Sequence, residues 1–369
     1  MKILKISLNG FRNYDWETAE FSENTNVITG ENAQGKTNLL EAVYLLSCGK
    51  SFRTRTDRDL VGFDFSEAEI LAEIDSHGRE QTVHIRLIPG QTKKITVNGV
   101  KKTASELSET LNTVLFCPDD LNLIKDGAAV RRKLMDLAIC QIRPKYAALL
   151  SEFNRLYEHK LRILKDWREK PSLLDTLDSF SDALCRVSAQ MIRYRASYVD
   201  RLNEEVKPIH REFSGNGETI ELQYRTVSTV RNPFASAKEI YYEICEHQEA
   251  HRQAELDSQL CLTGAHKDDI DIQINGRSAR SFASQGQTRT AALSLKLAER
   301  EIILQESGDY PILLLDDVLS ELDEKRQEFV LNRIGGGQTL ITCCEDTGIS
   351  GRTGGRVLQV SGGRIRTCT

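Results

Sequence analysis

The spacing of apolar positions changes character twice along the chain. Residues 1 to about 100 are written in short alternations, "KILKISL", "TAEFSENTNVITG", "AEILAEID", "TVHIRLI" and "KKITVNGVKK". A period of two puts every second side chain on one face of a sheet, so these segments predict strands. Asn98-Gly99, set between Val97 and Val100, predicts a two-residue hairpin turn. From about Pro118, Leu and Ile recur at threes and fours with charges between, and the same texture runs from Leu173 to about Phe213, which predicts helices. Pro144, Pro171 and Pro208 interrupt this stretch and predict several helices rather than one rod. "FSGNGETIELQYRT" then predicts a turn and a strand, residues 236 to 257 another helix, and Ile270, Ile272 and Ile274 a strand entering a second Asn-Gly turn. The last third holds an unbroken apolar run, Ile312 to Leu315, a further buried-type strand in "QTLITCC" and a glycine- and arginine-rich tail. No internal repeat is visible. The pattern predicts an α/β protein in which a mainly helical insert, 118–260, separates 1–117 from 261–369.

Chemistry enters at "ITGENAQGKTNLLEAVYLL", residues 28 to 46. Gly30, Gly35, Lys36 and Thr37 fill the pattern G-x-x-x-x-G-K-[ST]. Such a P-loop holds phosphate oxygens with backbone N–H groups, adds a lysine charge and sets a hydroxyl on Mg²⁺, all at the positive end of a helix. The context meets those demands. Val27 and Ile28 end a short apolar run that reads as a strand, and Leu39, Leu40, Val43, Leu45 and Leu46 follow at the spacing of an amphipathic helix. A P-loop names a nucleotide but not a task, so its partner motifs must decide.

Bulk properties narrow the choice. At 369 residues the chain should form two or three domains, and 40% hydrophobic against 28% charged residues describes a soluble, folded protein. No window approaches the roughly 18 apolar residues of a membrane span, and "MKILKISLNG" alternates like a strand instead of forming a signal peptide's apolar core, so a cytoplasmic location is expected. Nine cysteines without a C-x-x-C pair are expected to be buried, reduced thiols and not a zinc or disulfide framework. The net charge of −5 excludes grip on nucleic acid through overall charge, so any such binding needs a local patch or a second subunit.

Four large aliphatics ending in Asp316-Asp317 read as a parallel core strand beside the P-loop strand. Asp316 would then reach the Mg²⁺ shell, and Asp317 would orient or deprotonate the attacking water. In "FASQGQTRTAALSLKLAER", Ser284, Gly286 and Gln287 precede a helical segment, a second place where N–H groups could meet an anion and where an ordinary helix cap is the competing explanation. P-loop, S-x-G-Q, apolar strand with two acids, and Ser320 to Asp323 occur in the order of ABC-type ATPases. In that family the S-x-G-Q of one subunit closes on nucleotide held by another, giving an ATP-gated dimer. The long stretch between Lys36 and Asp316 does not suit a transporter ATPase and lacks the heptads of a long SMC-type coiled coil, leaving room for a short helical arm.

Over nearly its whole length the chain resembles the RecF family. The residues that carry the match are "LNGFRNY" (8–14), "GENAQGKTNLLEAVYLLSCGKSFRT" (30–54), "VLFCPDDLNLIKDGAAVRRKLMD" (114–136), "TGAHKDDI" (263–270), "SQGQTRT" (284–290) and "LLLDDVLSELD" (313–323). Ala265 and Lys267 stand where that family usually has Pro and Arg, and Thr288 where it has Gln. The resemblance implies an ABC/SMC-type ATPase head with a short arm. It implies ATP and Mg²⁺ as ligands, with Gly30, Asn32, Gly35, Lys36, Thr37, Asn38, Ser284, Gly286 and Gln287 at the nucleotide. Thr37 and Asp316 would hold the metal, and Lys36 and Asp317 would act in catalysis. It further implies dimerisation on ATP, binding of double-stranded and gapped DNA, slow hydrolysis, and action with RecR and RecO to load RecA.

Three other readings share parts of this pattern: a transporter-type ATP-binding subunit, a small-molecule kinase with the same P-loop, and a non-hydrolysing nucleotide sensor. Candidate phosphate contacts for DNA are Lys93, Lys94, Lys101 and Lys102 about the hairpin, Arg131, Arg132 and Lys133, then Arg186, Arg193, Arg195 and Arg201, and the tail arginines 352, 356, 364 and 366; each cluster also reads as a solvated face. Thr342, beside the Cys343-Cys344 pair, is a candidate γ-phosphate sensor.

Overall fold

In the computed structural model, which describes residues 1–346 and 348–368, the alternating N-terminal segments pair into one antiparallel sheet. Its strands are β1 (Lys2–Phe11), β2 (Tyr14–Glu20), β4 (Ala68–Ser76), β5 (Arg79–Leu87), β6 (Lys94–Val97) and β7 (Val100–Lys102), in the order β2-β1-β4-β5-β6-β7. Alternation sorts the faces as expected: Ile70, Ala72 and Ile74 of β4 point inward with Val83, Ile85 and Leu87 of β5. Asn98 and Gly99 both have positive φ, 50° and 78°, the conformation a tight hairpin between β6 and β7 needs.

A second six-stranded sheet carries the nucleotide motifs. It contains β3 (Thr25–Thr29), β8 (Thr113–Phe116), β12 (Ile312–Asp316), β13 (Thr339–Cys343), β14 (Arg356–Ser361) and β15 (Arg364–Cys368), in the order β15-β14-β3-β13-β12-β8. All pairings are parallel except β14 with β15. One expectation is corrected here. The strand bearing Asp316 is not beside the P-loop strand, because β13 lies between them; an apolar run reports burial on both faces and says nothing about which strand is the neighbour. The glycine- and arginine-rich tail is a strand hairpin in the same sheet.

Helix α1 (Lys36–Cys48) shares one hydrophobic core with both sheets. Ten of its thirteen residues are buried, so it is enclosed all round and not amphipathic, which explains why its leucines are so closely spaced. These strands and α1, with α8 (Glu324–Arg333) and α9 (Ile349–Thr353), belong to a unit made of residues 1–122 and 292–369.

Residues 123–291 form a second unit. It contains α2 (Ala128–Ile142), α3 (Pro144–Asp166), α4 (Leu174–Phe213), α5 (Ala237–Ser258) and the short α6 (Ala279–Phe282), with a three-stranded sheet of β9 (Ile220–Arg225), β10 (Asp269–Ile274) and β11 (Arg277–Ser278). Pro144 opens α3 and Pro171 lies just ahead of α4, where a proline's missing N–H is harmless. Pro208, expected to end a helix, sits inside α4; Val206, Ile209 and His210 stay buried around it, and packing carries the helix on to Phe213. This unit reaches beyond residue 260, because β10 pairs with β9 along its full length. Helix α7 (Gln285–Ser307) begins in this unit and ends in the first.

Candidate nucleotide site

The loop after β3 is shaped by its glycines. Gly30 has φ 150°, and a Cβ there would lie 2.2 Å from the Val360 carbonyl oxygen on β14. Gly35 has φ 122°, and a Cβ there would lie 2.8 Å from the Asn13 amide. At these two positions the loop backbone therefore runs against β14 and the β1–β2 turn with no room for a side chain. The Tyr14 hydroxyl donates to the Gly35 carbonyl at 2.9 Å, and no side chain caps α1. The first N–H groups of a thirteen-residue helix are thus presented, with its positive end, to whatever the loop holds. A glycine cradle with uncapped amides fits a polyphosphate. Lys36, 6% exposed, donates from Nζ to the carbonyls of Gly30 and Glu31, the latter at 2.9 Å, so its ammonium lies within the loop.

The acids close onto this loop. Thr37 Oγ1 donates to Asp316 Oδ1 at 2.9 Å, and Thr342 Oγ1 donates to the same oxygen at 2.9 Å. Burial pushes the Asp316 carboxyl above its ordinary range, and the two hydroxyls oppose that shift. A hydroxyl and a carboxylate in contact are the hard oxygen pair that Mg²⁺ takes, so the residues present fit that ion. Thr342 also accepts the N–H of Asp317 at 2.8 Å. Asp317 has φ 54°, a left-handed conformation uncommon outside glycine, and its carbonyl accepts the Ser320 hydroxyl at 2.7 Å. Thr342, the candidate phosphate sensor, is 1% exposed on β13, and its hydroxyl meets the Asp316 carboxylate and the Asp317 N–H.

Several residues around the loop carried no role in the sequence reading. Arg12 makes a two-pronged pair with the fully buried Glu41 of α1, Nε to Oε2 and Nη2 to Oε1, both at 2.8 Å. Asn13 donates to the Gln34 carbonyl at 2.8 Å and accepts from Asn38 Nδ2 at 2.8 Å, while Arg53 donates to Asn38 Oδ1 at 2.7 Å. Asn32 accepts the Cys344 thiol at 3.2 Å. The segment "LNGFRNY" held the signal for Arg12 and Asn13, but only the turn between β1 and β2 brings it to the loop. The nine cysteines are free: Cys185, Cys261 and Cys343 are buried, Cys344 and Cys368 are exposed, and the others lie between, so burial is not general.

Ser284, Gly286 and Gln287 lie at the start of α7, in the unit that does not hold the P-loop. Ser284 N–H donates to Gln287 Oε1 at 2.9 Å and Gln287 N–H to Ser284 Oγ at 3.2 Å, a reciprocal helix cap on an exposed serine. Among the basic candidates, Arg131 and Arg195 are corrected to buried structural cations. Arg131 pairs with Asp269 at 2.7 Å. Arg195, 2% exposed, grips Asp136 at 2.9 Å and Asp268 at 2.6 Å, and Asp268 also accepts the hydroxyls of Tyr224 and Thr226. Lys93 is held by Asp57 and Lys102 by Glu106. Lys94, Lys101, Lys133, Arg186, Arg193, Arg352, Arg364 and Arg366 are exposed.

Residues 2–351 match the family model described as RecF/RecN/SMC N terminal domain. A protein of Acetivibrio thermocellus named DNA replication and repair protein RecF is 38% identical over 346 residues, 94% of each chain. The chain belongs to the RecF family. A Clostridium botulinum RecF is 40% identical over 93% of this chain and 92% of its own. The solved structure of "the recombination mediator protein RecF-ATPrS in RecFOR pathway" superposes with a TM-score of 0.93 at 33% identity, covering 100% of this chain and 98% of that one. An Smc head superposes with a TM-score of 0.59 at 16% identity, which extends the likeness of fold to SMC heads. The fold is that of an ABC/SMC-type ATPase head with a helical arm.

Proposed function

We propose that this chain is an ATP-dependent switch of DNA replication and recombinational repair. Two copies close on ATP, the closed dimer holds double-stranded DNA near single-strand gaps, and with RecR and RecO it helps load RecA; slow, DNA-stimulated hydrolysis reopens it. The observation that carries the reading is the relay from Thr37 on the P-loop helix, through Asp316 and Thr342, to the backbone of Asp317. It ties a phosphate cradle to a held carboxylate, which a protein that merely senses nucleotide does not need. Repair functions named for relatives along more than nine-tenths of the chain favour this over a transporter-type subunit.

Each residue then has a task. Gly30, Asn32, Gly35 and Asn38 shape the loop, and Lys36 moves from the carbonyls of Gly30 and Glu31 to phosphate oxygens. Mg²⁺, held by Thr37 and Asp316, supplies charge neutralisation on the phosphates. Asp317 orients the attacking water and accepts its proton. Ser284, Gly286 and Gln287 offer the start of α7 to nucleotide on the second copy. Among the described residues no helix is long and apolar enough to cross a membrane, and this reading places the protein in the cytoplasm.

Sedimentation of wild type and Ser284→Arg, with ATP and Mg²⁺ and with or without a gapped duplex, tests the scheme. Wild type should dimerise only with ATP and hold DNA only as that dimer, and the variant should do neither. ATP binding without a dimer in wild type overturns the gating.

A further inference from the structure

The first turn of α7 is held from outside its own helix. Ser284 and Gln287 cap each other, and the capping amide of Gln287 has two unlike ends. Its Oε1 accepts from the Ser284 N–H at 2.9 Å, while its Nε2 donates to Glu218 Oε1, also at 2.9 Å. An ionised carboxylate only accepts, so Glu218 can face the nitrogen of that amide and not its oxygen. Glu218 therefore fixes which end of Gln287 meets the cap. Ser284 Oγ in turn accepts the Gln287 N–H at 3.2 Å, a contact that uses a lone pair and leaves the hydroxyl proton of this exposed serine to donate outward.

Glu218 is itself placed by the end of a long helix. It stands in the turn between α4 and β9, where its N–H donates to Ser214 Oγ at 3.2 Å and the Ser214 hydroxyl donates to the Arg211 carbonyl in the last turn of α4 at 3.1 Å. Gly215 and Asn216, at φ 65° and 63°, reverse the chain there. The second carboxylate oxygen, Oε2, lies 3.3 Å from Nε2 of His210, a fully buried residue of α4. Burial pulls that imidazole below its ordinary range and the Glu218 charge opposes the shift. Past the turn, the Thr219 N–H donates to Asn275 Oδ1 at 2.8 Å and β9 pairs with β10, so the segment cannot shift without the sheet. One carboxylate thus joins the C-terminal end of α4, 40 residues long, to the first turn of α7, all within residues 123–291.

We propose that Glu218 is a positioning residue for the nucleotide site of the second copy, and that closure of the dimer depends through it on the end of α4. The start of α7 can meet a phosphate only with its first N–H groups aligned and the Ser284 proton turned outward. With Glu218 in place the turn has that form before nucleotide arrives, so binding does not have to order it. The coupling runs both ways: nucleotide that tightens the cap tightens its hold on α4, and a displacement of the end of α4 loosens the cap. The proposal deepens the ATP-gated reading and rests on it for the role of α7 on the second copy's nucleotide.

Sedimentation of the full chain with ATP and Mg²⁺ measures the dimer, and binding of a fluorescent ATP analogue at protein concentrations too low for dimers measures the P-loop alone. Glu218→Ala should keep nucleotide binding by the monomer and weaken the dimer about twentyfold, since a lost cap is worth about fivefold and a symmetric dimer uses two. Glu218→Gln should return the dimer to within about threefold of wild type, because its amide can accept from Gln287 and donate to neutral His210. In a Gln287→Ala background Glu218→Ala should have no further effect, whereas a residue that merely supports the fold would weaken both backgrounds alike. Circular dichroism checks that each variant is folded. If wild type dimerises on ATP and Glu218→Ala does so equally well, the proposal is overturned and the gating stands. Equal losses with and without Gln287 overturn it in the same way. Wild type that forms no dimer with ATP overturns the gating and the proposal together.

Discussion

Replacing Thr342 by Val tests the relay most sharply, because it removes one oxygen and keeps the shape of a side chain that is 1% exposed. Two hydrogen bonds disappear. The bond to Asp316 involves a charged group, worth about 1.5–3 kcal/mol, and the Asp317 N–H is left without its acceptor, at about 1–3 kcal/mol. Asp317 also sits at φ 54°, a conformation that costs about 1–3 kcal/mol and persists only where its surroundings impose it. These contributions overlap, so we take about 3 kcal/mol as the penalty for holding Asp317 in place without Thr342. At about 1.4 kcal/mol per factor of ten, turnover should fall about 100-fold. The glycine loop and Lys36 are untouched, so ATP affinity should change less than threefold. Steady-state ATPase kinetics with separate measurement of ATP binding makes the distinction, and Thr342→Ser should recover most of the turnover. If Thr342→Val turns over at the wild-type rate, the relay does not position Asp317. If affinity and turnover fall together, Thr342 supports the loop as a whole.

Lys36→Ala should abolish ATP binding by calorimetry and the dimer with it, whereas Asp317→Asn should keep an ATP-bound dimer in sedimentation. Arg195→Met strands Asp136 and Asp268 beside a cavity of the wrong polarity and should cost about 3–5 kcal/mol in denaturant unfolding; a loss below about 1 kcal/mol would show the cluster to be dispensable. Burial holds His266 down to about 4, with Nε2 donating to the Cys261 carbonyl at 2.8 Å, against about 6.5 in an unfolded chain. Between those values the unfolded chain binds a proton that the folded chain refuses. This contribution to stability is therefore complete above about pH 6.5 and is lost as pH falls toward 4, at up to about 1.4 kcal/mol per unit. His266→Phe keeps a ring against Tyr157, 4.7 Å away, and should flatten that part of the pH profile of unfolding.

Local chemistry was legible in the linear order of residues. Asn98-Gly99 turned as its backbone requirements demand, Leu173 to Phe213 formed a helix where its spacing placed one, and the P-loop fell between a strand and a helix because amides, lysine and threonine must converge within eight residues. Neighbourhood was not legible. Nothing near Ile312 announces that β13 separates it from β3, and nothing near Thr342 announces that its hydroxyl lies between the Asp316 carboxylate and the Asp317 N–H, since parallel strands are ordered by crossovers distant in sequence. Arg195 and Arg193 look alike in a list of basic residues; their places on the turn of one helix sent the first to a buried pair of aspartates and left the second exposed. What the amino-acid sequence determined by itself was therefore each phosphate- or metal-facing group whose role depends on residues within a few positions of it. What only the tertiary structure decided was which distant carboxylate, hydroxyl or cation each of those groups meets, because that depends on strand order and burial, which no short segment encodes.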